Sequence, residues 1–209
     1  MIPQGLDLMR FIIFSLLVLS SAILHAGEVI EKELSYNIGL VNASFQEGES
    51  NLSGKNVIDP FSGSVSSISG MVNYKFLPGL ERSYYVQGTF PLLPGAAGSY
   101  FGAHFGSEFY FGKSSGSKMV YSNSGTTVKI KPKTLYFWGL EGGLGYLIYL
   151  TETQKKTDIL LDLGANVGTL YTLSERWRLR GTLGVTRGTG VTTTTMEMKA
   201  FFGVTFYDD

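Results

Sequence analysis

The chain contains no cysteine and few charges: 17 Lys and Arg cancel 17 Asp and Glu, together 16% of 209 residues, beside two His. Without cysteine there is no disulfide framework, no iron–sulfur cluster, no thiolate zinc site and no lipid-modified N-terminal Cys. Two His complete no transition-metal set either, so no cofactor is expected. Cancelled charge removes the electrostatic basis for nucleic-acid binding. With 44% hydrophobic residues the chain is also too apolar to remain disordered. A long helix-forming stretch is lacking after residue 26. Glycine and aromatics are abundant instead: 27 Gly, 14 Phe, 12 Tyr and 2 Trp, each class about double the globular average.

Residues 11–24, FIIFSLLVLSSAIL, form an uncharged run that follows Arg10 and precedes small residues. It is shorter than the roughly 20 residues a spanning helix needs and has the proportions of a secretory signal. Residues 1–26 therefore read as a cleaved signal peptide, with Ala26 or Ala22 at the cleavage point and Met9 as an alternative start. An N-terminal anchor is the competing reading. Residues 27–209 are expected to form one domain.

From residue 33 onward apolar residues recur at every second position, the strand period. Eight strands are expected over 33–46, 66–76, 82–90, 100–112, 134–150, 157–171, 176–187 and 194–207. In the last, Met196, Met198, Ala200, Phe202, Val204 and Phe206 share one face. Several strands exceed the soluble mode of about 5–6 residues and match the roughly 9–11 that cross a bilayer when tilted. Gly/Ser/Asn/Pro-rich connections are expected at 47–65, 77–81, 91–99, 113–133, 151–156, 172–175 and 188–193.

The polar faces carry Lys75, Glu108, Glu141, Asp162, Arg178, Arg180, Glu197 and Lys199, four acids and four bases. Each Lys or Arg turned to lipid near the midplane costs about 2–4 kcal/mol. Four would rival a domain's whole stability of about 5–15 kcal/mol. Turned to bulk water, the same faces would need no balance of sign. A narrow interior demands pairing and suits the glycines of that face, such as Gly102, Gly106, Gly143 and Gly164. The fold class expected is therefore all-β, an eight-stranded antiparallel up-and-down transmembrane barrel. Its lumen is plugged by those eight charges as an ion-pair network, with His104 and Asn166 as further polar lumen residues. Outward aromatics, among them Tyr84, Phe90, Phe101, Phe111, Tyr136, Trp177 and Phe206, read as interfacial girdles.

With both termini in the periplasm, 47–65, 91–99, 151–156 and 188–193 lie outside the cell. Outer loops should be long and inner turns short. The 21 residues of 113–133 break that rule, carrying Lys113, Lys118, Lys129, Lys131 and Lys133 and no acid. Met119–Tyr121 and Thr126–Ile130 can pair there as a hairpin around Ser122-Asn123-Ser124-Gly125, extending the fourth and fifth strands beyond the membrane.

These features, the signal segment, eight alternating strands and a terminal strand ending Val204-Thr205-Phe206-Tyr207, resemble the small outer-membrane proteins of the OmpA-transmembrane, OmpX or OmpW kind. Asp208-Asp209 depart from the aromatic terminus that such proteins commonly present to the assembly machinery. The resemblance is architectural and spans about 33–207. It implies a Gram-negative outer membrane, lipid and lipopolysaccharide as surroundings, the barrel-assembly machinery as a partner, and a monomer.

Catalysis is not expected. Lipid A 3-O-deacylases use a His-x-Ser pair, whereas the serine after His104 is Ser107, on the opposite strand face and outside the reach a nucleophile pair needs. The expectation is a non-enzymatic barrel with a structural or surface-interaction role. The alternative is a narrow pore for ions or small hydrophobic molecules, gated if Arg178 and Arg180 exchange among Glu197, Glu141 and Glu108. A soluble ligand-binding barrel is the third reading.

Overall fold

The structure, a computed structural model, describes residues 31–48, 61–77, 82–111, 119–123, 126–130, 132–151, 154–174 and 176–208. The proposed signal segment and the middle of 47–65 lie outside the described residues.

Among the described residues ten strands follow one another: β1 (Glu31–Glu47), β2 (Ser62–Leu77), β3 (Arg82–Leu93), β4 (Gly98–Tyr110), β5 (Met119–Asn123), β6 (Thr126–Ile130), β7 (Thr134–Leu150), β8 (Lys155–Thr172), β9 (Trp177–Gly190) and β10 (Thr193–Asp208). Eight of them close an antiparallel barrel in the order β1-β10-β9-β8-β7-β4-β3-β2. β5 and β6 pair only with each other, from Met119↔Ile130 to Asn123↔Thr126. The described part of the long connection is thus a hairpin in a sheet of its own, not an extension of the barrel strands that flank it.

Closure makes the strands tilt. Partners traced from Leu40 through Ala200, Leu183, Val167, Trp138 and Phe109 arrive at Arg82, the start of β3. Traced the other way, Leu40 leads through Ile68 to Leu93, the end of the same strand. That stagger is the shear a closed eight-stranded sheet needs.

The strands run longer than their alternation predicts at the end away from the termini, here the far end. β1 reaches Glu47 and β2 starts at Ser62, so their connection is shorter than 47–65. Residues 94–97 and 191–192 suffice to join β3 to β4 and β9 to β10. Directly after the first of these, at the start of β4, Gly98 adopts φ +141°, a backbone state costly for any residue with a Cβ.

On β1 the outward positions are Tyr36, Ile38 and Leu40 and then Asn42, Ser44 and Gln46, while the inward ones pass from Ser35 and Asn37 to Val41, Ala43 and Phe45. Polarity reverses without a break in the alternation. β2 mirrors it, with Ser62, Ser64 and Ser66 outward and Val65 inward. Below the reversal the hairpin is built for lipid; above it, for water, with a dry inside.

Candidate functional site in the barrel interior

Inward residues succeed one another along each strand, so the lumen is filled in layers. Nearest the termini, Glu33 of β1, Lys75 of β2, Glu108 of β4 and Arg178 and Arg180 of β9 are all buried. Glu108 is the hub: Lys75 Nζ stands 2.5 Å from one of its carboxylate oxygens, and Arg180 donates to the other. Glu33 accepts from Arg178 Nη1 at 3.4 Å and lies 3.7 Å from Lys75 Nζ. The cations also lie over the ring of Phe137, Arg180 at 4.6 Å and Lys75 at 5.5 Å. Leu135, Phe137 and Leu170, with Tyr110 against them, pack beside this cluster.

Along β7 the next polar side chain is Glu141. It accepts from Tyr85 Oη at 3.1 Å, Thr186 Oγ1 at 3.0 Å and Lys199 Nζ at 3.3 Å. Asn166 donates to Tyr85 Oη at 2.8 Å. Lys199 also lies 3.4 Å from Glu197, which accepts from Thr195 Oγ1 at 3.2 Å. Asp162 accepts from Tyr100 Oη at 2.6 Å and stands 3.1 Å from His104 Nε2.

Above the polar layers the interior turns apolar. Val41, Ala43, Phe45, Val65, Leu147, Tyr149 and Leu160 form one buried cluster with Met71, Tyr100 and Phe201, and Phe61 packs onto it. Phe45 and Tyr149 have ring centroids 4.5 Å apart. Over this layer Glu47 accepts from Tyr149 Oη at 2.6 Å and Lys156 Nζ at 2.7 Å. Asp158 receives the backbone N–H groups of Val191, Thr192 and Thr193 at 2.8–3.2 Å, which fixes the β9–β10 turn.

All eight charged residues singled out from the sequence, and His104 and Asn166, are buried inside the barrel. They form separate groups. Arg178 and Arg180 meet Glu33 and Glu108, while Glu141 and Glu197 share Lys199. Exchange of the two arginines among Glu108, Glu141 and Glu197 therefore does not match the layering. Glu33 was missed, although its parity with Ser35 puts it on the polar face. The apolar layer was also missed; a lumen closed by charges alone is only half of what fills it. The sequence signal for it is the inverted alternation after Leu40.

A buried ion pair is stable only when each partner is compensated, so these layers rigidify the wall and leave little freedom for chemistry. Among the described residues no group of three or more His, Cys, Asp or Glu is placed to hold a metal ion. Every acid whose side chain is described is buried, from Glu33 to Glu197. The exposed charged side chains described are all basic: Lys32, Arg82, Lys133, Lys155, Arg176 and Arg187.

No family model matches the chain, and no curated protein is similar to it in sequence. Solved structures are similar in fold. Neisserial surface protein A aligns with a TM-score of 0.54 at 11% identity, over 86% of this chain and 99% of that one. Outer membrane protein OprG from Pseudomonas aeruginosa gives 0.47 at 12% identity, over 88% and 98%. The attachment invasion locus protein Ail of Yersinia pestis gives 0.44 at 11% identity, over 84% and 99%. At such identities the likeness is one of architecture, a small eight-stranded barrel.

Proposed function

We propose that this small eight-stranded outer-membrane barrel is a sealed, non-conducting and non-enzymatic membrane protein with a structural or surface-interaction role. The observation that carries the reading is the double closure of its interior. Glu108 ties Lys75 of β2 to Arg180 of β9 across the lumen, and the layer built on Phe45, Leu147, Tyr149 and Leu160 lies above it. An ion crossing would have to displace buried, compensated charges and then enter a dry layer, each step costing several kcal/mol. On this reading the chain is exported by its N-terminal segment and inserted as a monomer by the barrel-assembly machinery. Its termini face the periplasm, and the serine-lined hairpin of β1 and β2 stands outside the cell.

The test is single-channel recording in planar bilayers, with barrel folding checked by heat-modifiable migration on unboiled gels. The expected result is a heat-modifiable, silent protein. A stable large conductance overturns the sealed lumen; recovery as a soluble periplasmic monomer overturns the membrane reading.

A further inference from the structure

A groove runs down the outside of the wall formed by β8, β9, β10 and β1, and its upper end meets an exposed cation, Arg187. Two adjoining depressions of about 540 and 700 Å3 share Leu40, Val167, Leu183 and Ala200 in their linings. Small outward residues make the floor of the groove: Ala165 on β8, Gly181 on β9 and Ala200 on β10. A Cβ placed on Gly181 would meet only Thr169 Cγ2, at 3.6 Å. Larger apolar side chains, Leu183, Val185, Met198 and Phe202, rise beside this floor.

The next outward position on β9 above Val185 is Arg187, exposed and without an ion-pair partner among the described residues. Its register neighbours are Leu163 on β8 and Met196 on β10, exposed at 67% and 50%. A cation between two lipid-facing side chains extends to the interface, where an anionic headgroup suits it. Trp177 to Val185 spans about 26 Å along the strand at ~3.3 Å per residue, or about 20 Å of height at a tilt near 40°. Arg187 therefore stands at the edge of the hydrocarbon band, where phosphate groups lie. Just across β10 the wall is polar, with Asn42 donating to Ser66 Oγ at 2.7 Å and Ser44 exposed.

We infer that this wall binds one phosphorylated glycolipid of the outer leaflet, lipid A of lipopolysaccharide, with an acyl chain in the groove and a phosphate on Arg187. A guanidinium grips phosphate in a fork geometry, and the hydroxyls and amide of the neighbouring polar row suit a sugar headgroup. The far end lies in the outer leaflet on the orientation proposed above, so the inference rests on that reading.

The test uses the refolded full-length barrel in detergent micelles, with native mass spectrometry counting lipids retained. Bisphosphorylated lipid A, dephosphorylated lipid A and phosphatidylglycerol are titrated in parallel. One bisphosphorylated lipid A per barrel is expected. Arg187→Gln should raise the half-saturating concentration roughly tenfold, the loss of about one charged hydrogen bond, while Arg187→Lys loses less. Gly181→Leu with Ala200→Leu fills the groove and should weaken binding with Arg187 intact. All variants should stay heat-modifiable, because the changes face lipid. Unchanged retention in Arg187→Gln, or equal retention of dephosphorylated lipid A, overturns the phosphate contact; equal retention of phosphatidylglycerol overturns lipid A as its source. The orientation is read separately, by labelling Ser64→Cys on intact cells with a membrane-impermeant maleimide. A labelled protein that retains no lipid A sinks the groove alone, and an unlabelled one sinks the orientation and with it the outer-leaflet ligand.

Discussion

Tyr100 of β4 donates a hydrogen bond to Asp162 Oδ2 of β8 at 2.6 Å, over the intervening β7, while Oδ1 of the same carboxylate has no hydrogen-bond partner among the described residues. One aromatic hydroxyl and His104 thus compensate a fully buried acid. Tyr100→Phe should destabilise the barrel by about 1.5–3 kcal/mol, the loss of one hydrogen bond to a charged group whose remaining partner is His104. Urea unfolding followed by tryptophan fluorescence reads it, and an unchanged midpoint would show Asp162 to be otherwise satisfied.

The Glu108 hub should be worth more. Glu108→Leu leaves Arg180 and Lys75 facing each other with only Glu33 nearby, 3.7 Å from Lys75. Breaking such a buried pair typically costs about 3–5 kcal/mol. Adding Lys75→Met and Arg180→Met to Glu108→Leu should return most of that loss, because an apolar replacement of the whole cluster strands nothing. A triple variant as unstable as the single one would contradict the compensation argument.

Sealing in two layers makes a prediction about conductance. Leu147→Ala with Tyr149→Ala should cost about 2–5 kcal/mol per site through cavities yet leave planar-bilayer recordings silent, since the ionic layer still closes the lumen. Current in that variant alone would place the whole seal at the apolar layer.

β5 and β6 pair with no barrel strand, so excising 116–131 and rejoining the chain through a Gly/Ser turn should leave a heat-modifiable barrel of unchanged urea midpoint. Loss of folding would reveal a dependence of the wall on the hairpin.

Gly106 meets its neighbours closely: a Cβ there would lie 2.4 Å from the Leu140 carbonyl oxygen and 2.6 Å from Tyr85 Oη. Gly106→Ala should push Tyr85 off Glu141 and Asn166 and cost about 1–3 kcal/mol. An amide signal for Asn166 unshifted in NMR spectra would argue that the ring had not moved.

Much of this was legible from alternation. Parity along a strand settles which face a residue occupies, because successive side chains point to opposite sides, and Lys75, Glu108, Arg180 and Lys199 all lie on the face their parity assigns. The hairpin at 119–130 was legible too, from two apolar stretches around Ser122-Asn123-Ser124-Gly125, with β5 running on to Asn123. Strand ends were less so. Val41, Ala43 and Phe45 keep the period of two but reverse its polarity, and a rule that equates apolar with outward stops at Leu40.

By itself the sequence determined a strand period, a polar face rich in charge and glycine, and an apolar face long enough for a bilayer. Tertiary structure decided the partners. Lys75 and Glu108 lie on β2 and β4, which are not neighbours in the sheet, and Glu33 reaches Arg178 across β10. Such meetings depend on the stagger of the closed barrel, a global property that no single strand encodes. Closure also sorted the charge. Among the described residues the acids lie inside, and the exposed charged side chains are basic.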